Sequence, residues 1–166
     1  MGLDMYLFAR MRTYKSYGQE REHPVRQVIQ DNLPEMFSSG NIETIEVAFE
    51  AGYWRKANQI HNWFVENVQS GNDNHGEYYV GREQLEELRD TCKRILDARI
   101  CPEFSVTADE SPNPVAEEEL PTSQGFFFGS DDYDEWYYED LEETISIIDE
   151  CLKLPDDWDF YYHASW

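Results

Sequence analysis

Between Asp131 and Leu152 the chain reads DDYDEWYYEDLEETISIIDECL, and no other stretch restricts the fold as much. Tyr137, Leu141, Ile145, Ile148 and Leu152 recur at spacings of four, four, three and four, which is one apolar stripe of an α-helix. Asp132, Glu135, Glu139, Glu142, Glu143, Asp149 and Glu150 fall mostly on the other side. Carboxylates three or four positions apart on a helix stand about 6 Å apart, because each residue rises ~1.5 Å. Each such like-charged pair costs a few tenths of a kcal/mol, and no lysine or arginine within the stretch relieves it. The helix therefore has to be held by its packed stripe, and its outer face is a surface suited to meeting positive charge.

The charge of the whole chain points the same way. Its 166 residues carry a formal net charge of −22, from 35 acids against 13 bases. The first 99 residues account for −4 of it; the remainder hold −18 and one base, Lys153. Direct binding to nucleic acid or to an anionic membrane is disfavoured by repulsion, and a basic protein partner is favoured. A chain 40% hydrophobic and 15% aromatic is not an acidic disordered chain and has enough apolar side chains for a core. Three cysteines without Cys-x-x-Cys spacing, Cys92, Cys101 and Cys151, indicate free thiols in a reducing compartment. No apolar run reaches the ~20 residues of a membrane span. The N-terminus lacks the pattern of a signal peptide, and Tyr6 stands where a myristoylation motif needs Ser or Thr. A soluble cytoplasmic protein is expected.

Residues 2–12 alternate, Leu3, Met5 and Leu7 against Asp4, Tyr6 and Phe8, which predicts a strand. Pro24 opens a short helix through Leu33, and Pro34 ends it. Residues 41–50 alternate Ile45, Val47 and Phe49 against Thr44, Glu46 and Ala48, a second strand that Gly52 breaks. Tyr53 to Gln69 predicts a helix with Ala57, Ile60, Phe64 and Val68 inward, followed by a cap at Gly71. Glu77 to Val80 is a short extended piece. Arg82 to Ile100 predicts a third helix with Leu85, Leu88, Cys92, Ile95 and Leu96 inward. Four prolines mark 101–124 as an irregular, mobile connection. Gly125 to Gly129 then leads as a short strand or turn into the acidic helix, which Ser130 or Asp131 caps. Asp159 to Trp166 is a last strand able to pair with the first. The expected architecture is a single α+β domain over 1–166, a small, mainly antiparallel sheet packed by about three helices, with 13–40 as a variable segment.

Several stretches taken together resemble a family of small bacteriophage and prophage proteins. They are the opening MGLDMYL, the central YWRKANQIHNWFVENVQ, the segment LPTSQGFFFGSDDYDEWYYEDLEETI and the aromatic strand before Ser165-Trp166. The resemblance misses 13–40 and 101–119, and it carries over no catalytic or binding residue. It implies a phage context, hence the cytoplasm of an infected bacterium. Small acidic phage proteins often block host machinery that handles nucleic acid, including restriction enzymes and CRISPR effectors. By that analogy of context and charge, the expected function is inhibition of a host nucleic-acid-binding defence enzyme by mimicry of nucleic acid.

The expected partner-binding residues are Asp131, Asp132, Asp134, Glu135, Trp136, Glu139, Glu142 and Glu143. Their partner is a basic groove that otherwise takes lysine- and arginine-bound phosphates. Tyr133, Trp136 and Tyr138 flank the stripe and are candidates for exposed anchors. The alternative is a site for small nucleotides, built from Arg55, Asn58, His61 and Asn62, with His61 as a general base beside a carboxylate. A third possibility is a phage assembly protein, and the oligomeric state is left open. No calcium loop, zinc spacing, phosphate loop or nucleophile elbow is present, so no metal or cofactor is expected.

Overall fold

The computed structural model describes residues 2–18, 21–100, 113–123 and 129–166. Strands β1 (Asp4–Tyr14), β2 (Thr44–Arg55), β3 (Glu77–Val80) and β4 (Asp159–Ser165) form one antiparallel sheet in the order β2-β1-β4-β3. The first and last strands are thus the two central ones, paired from Asp4 with Ser165 to Arg10 with Asp159. Helices α1 (Pro24–Asn32), α2 (Pro34–Phe37), α3 (Asn58–Asn67), α4 (Arg82–Ile100), α5 (Pro114–Glu119) and α6 (Glu135–Cys151) complete the α+β fold.

One face of the sheet is the floor of the core. Leu3, Met5, Leu7 and Ala9, with Trp54, Val80, Phe160, Tyr162 and Ala164, are buried against side chains of α3, α4 and α6. Phe64 of α3 stacks on Tyr162 with ring centroids 3.9 Å apart. The intervening residues turn to the other face, where Tyr6 stacks on Phe8, Arg10 lies over Tyr161 and pairs with Glu77, and Tyr79 is exposed.

Several expected boundaries move. Gly52 does not end β2; the strand continues through it to Arg55, with a register shift beside it that leaves Ala51 unpaired. The glycine is there because α6 passes over it: a Cβ at Gly52 would lie 2.4 Å from Ile147 Cγ2. Tyr53, Trp54 and Arg55 therefore belong to the strand, opposite Tyr6, Met5 and Asp4, and the central helix begins only at Asn58. Pairing with β1 and burial of Trp54 outweigh the helical spacing of this stretch. Lys56 makes the corner, with φ of 64° and its N–H donating to Leu3. Pro34 does not simply end a helix; it opens the short α2. Part of the expected irregular connection is helical, as α5; residues 101–112 and 124, with Cys101, and the Phe126 to Phe128 run lie outside the described residues. The acidic helix starts four residues later than expected, capped by Asp134, which accepts from the Tyr137 N–H at 3.1 Å, and not by Ser130 or Asp131.

Among the described residues no helix is long and apolar enough to cross a membrane.

Candidate functional site

Helix α6 buries Tyr137, Tyr138, Leu141, Thr144, Ile148 and Cys151, with Ile145 and Leu152 half-buried. Each fully buried large side chain stabilises by about 1.5–3 kcal/mol, several times the cost of one like-charged pair, so packing decides that the acidic helix forms. A polar tie to the sheet fixes its rotation. Trp54 Nε1 donates to the Thr144 hydroxyl at 2.9 Å, and that hydroxyl donates to the Asp140 carbonyl at 2.6 Å.

The acids are not without compensation, contrary to the reading of the stretch by itself. Helix α4 runs beside α6 and brings bases the local sequence lacks. Arg99 pairs with Glu135 at 2.6 Å, and Arg89 and Lys93 approach Asp149 at 3.5 and 3.8 Å. The Arg99 guanidinium also lies 3.9 Å from the Tyr138 ring centroid and holds the Glu135 carboxyl below its ordinary range. Glu139, Glu142 and Glu143, all exposed, form no ion pair among the described residues. Trp136 stands beside them with 73% of its surface exposed. Tyr138, expected near the surface, is buried, and Tyr133 is half-buried against Tyr137.

The start of α6 also forms one wall of a cleft of about 350 Å³. Its lining unites Asp132, Asp134, Trp136 and Asp140 with Arg55, Lys56, Asn58 and Gln59 from the corner between β2 and α3. Gly129 lies close against that corner: its φ is +94°, and a Cβ there would lie 3.1 Å from the Lys56 carbonyl oxygen. Asn58 holds Ser130 and Ser123, donating to the Ser130 carbonyl and accepting from the Ser123 N–H, both at 2.8 Å. Asp131 is exposed, and its carbonyl accepts from Thr122 Oγ1 at 2.9 Å. Inside the cleft, burial and the neighbouring acids Glu143, Asp134 and Glu139 raise the Asp140 carboxyl to about 6, against the lowering effect of the Gln59 amide that donates to it at 2.9 Å.

The four residues of the alternative small-ligand site do not converge. Arg55 and Asn58 line this cleft, Asn62 lines a separate hollow with Trp63 and Leu120, and His61 is 1% exposed within the core. His61 does have its carboxylate: Nε2 lies 3.0 Å from Asp73, and Nδ1 lies 2.8 Å from the Tyr162 hydroxyl. A carboxylate only accepts, so Nε2 carries the proton and Nδ1 accepts from Tyr162. Burial lowers the imidazole's basicity and outweighs the pull of Asp73. Among the described residues no group of three or more His, Cys, Asp or Glu is placed to hold a metal ion. Cys92 and Cys151 are buried free thiols, pushed by burial up to about 12 and about 11.

Reading by segment missed Gln59 and Asp140. Their only early signal is that Asp140 lies one helical turn beyond Trp136, on the same side. Comparison with protein-family models, with curated proteins and with solved structures finds no match to this chain.

Proposed function

We propose that this chain is a phage-encoded acidic interaction protein of the host cytoplasm, which occupies the basic groove of a host nucleic-acid-binding defence enzyme and so keeps nucleic acid out. The observation that carries the reading is the row Glu139, Glu142 and Glu143 beside the exposed Trp136, without an ion pair among the described residues, on a helix whose opposite side is anchored in the core. Such a row is held in place before binding, so little ordering cost falls on association. Exposed acids speed encounter with a basic surface, and a large exposed indole supplies an anchor where the surfaces meet. A CRISPR effector nuclease is the first target class and a restriction enzyme the second, on the strength of the phage resemblance and the charge.

The test is capture of host proteins by the tagged chain at low and high salt, followed by a nucleic-acid-binding assay on whatever enzyme is retained. Retention at low salt of an enzyme whose DNA or RNA binding the chain then blocks is the expected result. An enzyme retained equally well by a chain carrying Glu139→Lys, Glu142→Lys and Glu143→Lys, with the same salt dependence, sinks the proposal. The small-nucleotide alternative keeps one supporting observation, Arg55 and Asn58 in a common cleft, and predicts a rise in melting temperature with cyclic oligonucleotides.

A further inference from the structure

We propose that the cleft between the start of α6 and the β2–α3 corner is a socket for one arginine side chain of the partner. The proposal rests on the interaction reading above and names the group that this part of the surface takes.

Its size comes first. About 350 Å³ is at the small end of ligand-sized hollows, suited to one long side chain and too small for a helix or a duplex. Its chemistry narrows the guest further. Asp132 Oδ2 accepts from Ser130 Oγ at 3.2 Å, Asp134 Oδ1 from the Tyr137 N–H at 3.1 Å, and Asp140 Oδ2 from Gln59 Nε2 at 2.9 Å. Each carboxylate is thus oriented through one oxygen, and its other oxygen receives no hydrogen bond among the described residues. The same holds for the Gln59 side-chain carbonyl, on a lining residue only 2% exposed whose amide is already given to Asp140. Apart from the Trp136 indole N–H, the positions left vacant on this wall among the described residues are acceptors. A guest that fills them must donate, and beside three carboxylates a positively charged donor, a guanidinium or an ammonium, is favoured.

Trp136 decides between those two. Its exposed indole stands at the rim, one turn from Asp140, where a flat cation can stack on the ring while its fork of N–H groups reaches the carboxylates. An ammonium makes one point contact and stacks less well. The burial that weakens Asp140 as an acid is relieved when a cation enters beside it. Arg55 and Lys56 occupy the opposite wall, and Arg55 is only loosely tied to Asp4 at 3.9 Å. They face the main chain of the incoming segment and are donors for its carbonyl oxygens. A nucleotide phosphate would find the same two bases, but it would enter against three carboxylates.

The test follows the Trp136 indole N–H signal by NMR, assigned by its loss in Trp136→Phe. The probes are Nα-acetylarginine amide, the citrulline and lysine counterparts, and AMP. The arginine probe should shift the signal saturably, with the lysine and citrulline probes about fivefold weaker or more, because each lacks the fork or the charge. Asp132→Asn with Asp140→Asn should remove the response while the other indole signals stay in place, which shows that the fold is intact. No saturable shift, an equal response to citrulline, or a larger response to AMP overturns the socket. The two readings separate cleanly. If the socket fails while the Glu139, Glu142 and Glu143 reversals still abolish capture of the host enzyme, the interaction reading stands without it. If the arginine response is intact but the reversals change nothing, the groove reading falls and the socket remains.

Discussion

At the scale of single residues, Gly52 and Asp140 show how the contacts across the fold, more than the local sequence, set what a position does. A glycine in the middle of an alternating strand reads as a break. It is a point of close approach, where α6 presses on the sheet through Ile147. Gly52→Ala should cost about 1–3 kcal/mol in a urea titration, the range for overpacking, because the nearest atom is a short branch of Ile147 with little room to turn away. An unchanged midpoint would show that α6 does not sit so tightly. Asp140 makes a pH prediction with a definite sign. Its carboxyl is raised in the fold to about 6 from an ordinary 3.8, so the folded state holds the proton more tightly than the unfolded one. That stability is fully present below the unfolded value and is lost as pH rises through about 6. Asp140→Asn should therefore gain in melting temperature relative to the parent as pH goes from 5 to 8; a difference independent of pH would contradict it. His61 has the opposite sign: its lowered pKa gives stability above about 6.5 that is lost as pH falls through the folded value. Neither shift is legible in the sequence, since both come from burial that only the fold creates, which outweighs the opposing pull of Gln59 on Asp140 and of Asp73 on His61.

At the scale of elements, the apolar stripe of α6 was legible because helix periodicity is a local property, and Tyr137, Leu141 and Ile148 are buried as the spacing requires. Its electrostatics were not legible. The bases that answer Glu135 and Asp149 sit on α4, more than 30 residues away in sequence. The boundary between β2 and α3 was hidden for a related reason. Tyr53 and Trp54 suit either state, and pairing with β1 decides between them. Two substitutions separate packing from charge on α6. Leu141→Ala should lower stability by about 2–5 kcal/mol, as buried leucines do when truncated. Glu135→Gln should leave the urea midpoint almost unmoved, because the pair with Arg99 is solvent-exposed on both sides. If Glu135→Gln were as damaging as Leu141→Ala, the acids would be structural and their availability to a partner would be in question.

At the scale of the whole molecule, the sheet is closed by the two ends of the chain, β1 and β4 side by side at its centre. That pairing was legible, because both segments alternate and each carries a full apolar face. The place of β3 at the edge was not, since four residues hold too little pattern to fix a neighbour. The arrangement sets a polarity on the molecule. The aromatic and ion-paired face of the sheet carries the pairs Arg10 with Glu77 and Arg12 with Glu46, while the outer side of α6 has in Glu139, Glu142 and Glu143 acids without an ion pair among the described residues, beside an exposed tryptophan. The central claim is that this second surface takes the place of nucleic acid. The most direct measurement is displacement of a fluorescent DNA or RNA from the captured host enzyme, followed by anisotropy at two salt concentrations. The account predicts that the parent chain displaces the probe, that added salt weakens displacement, and that the chain with Glu139→Lys, Glu142→Lys and Glu143→Lys needs about tenfold more protein or worse. Equal displacement by the two chains, unaffected by salt, would contradict it.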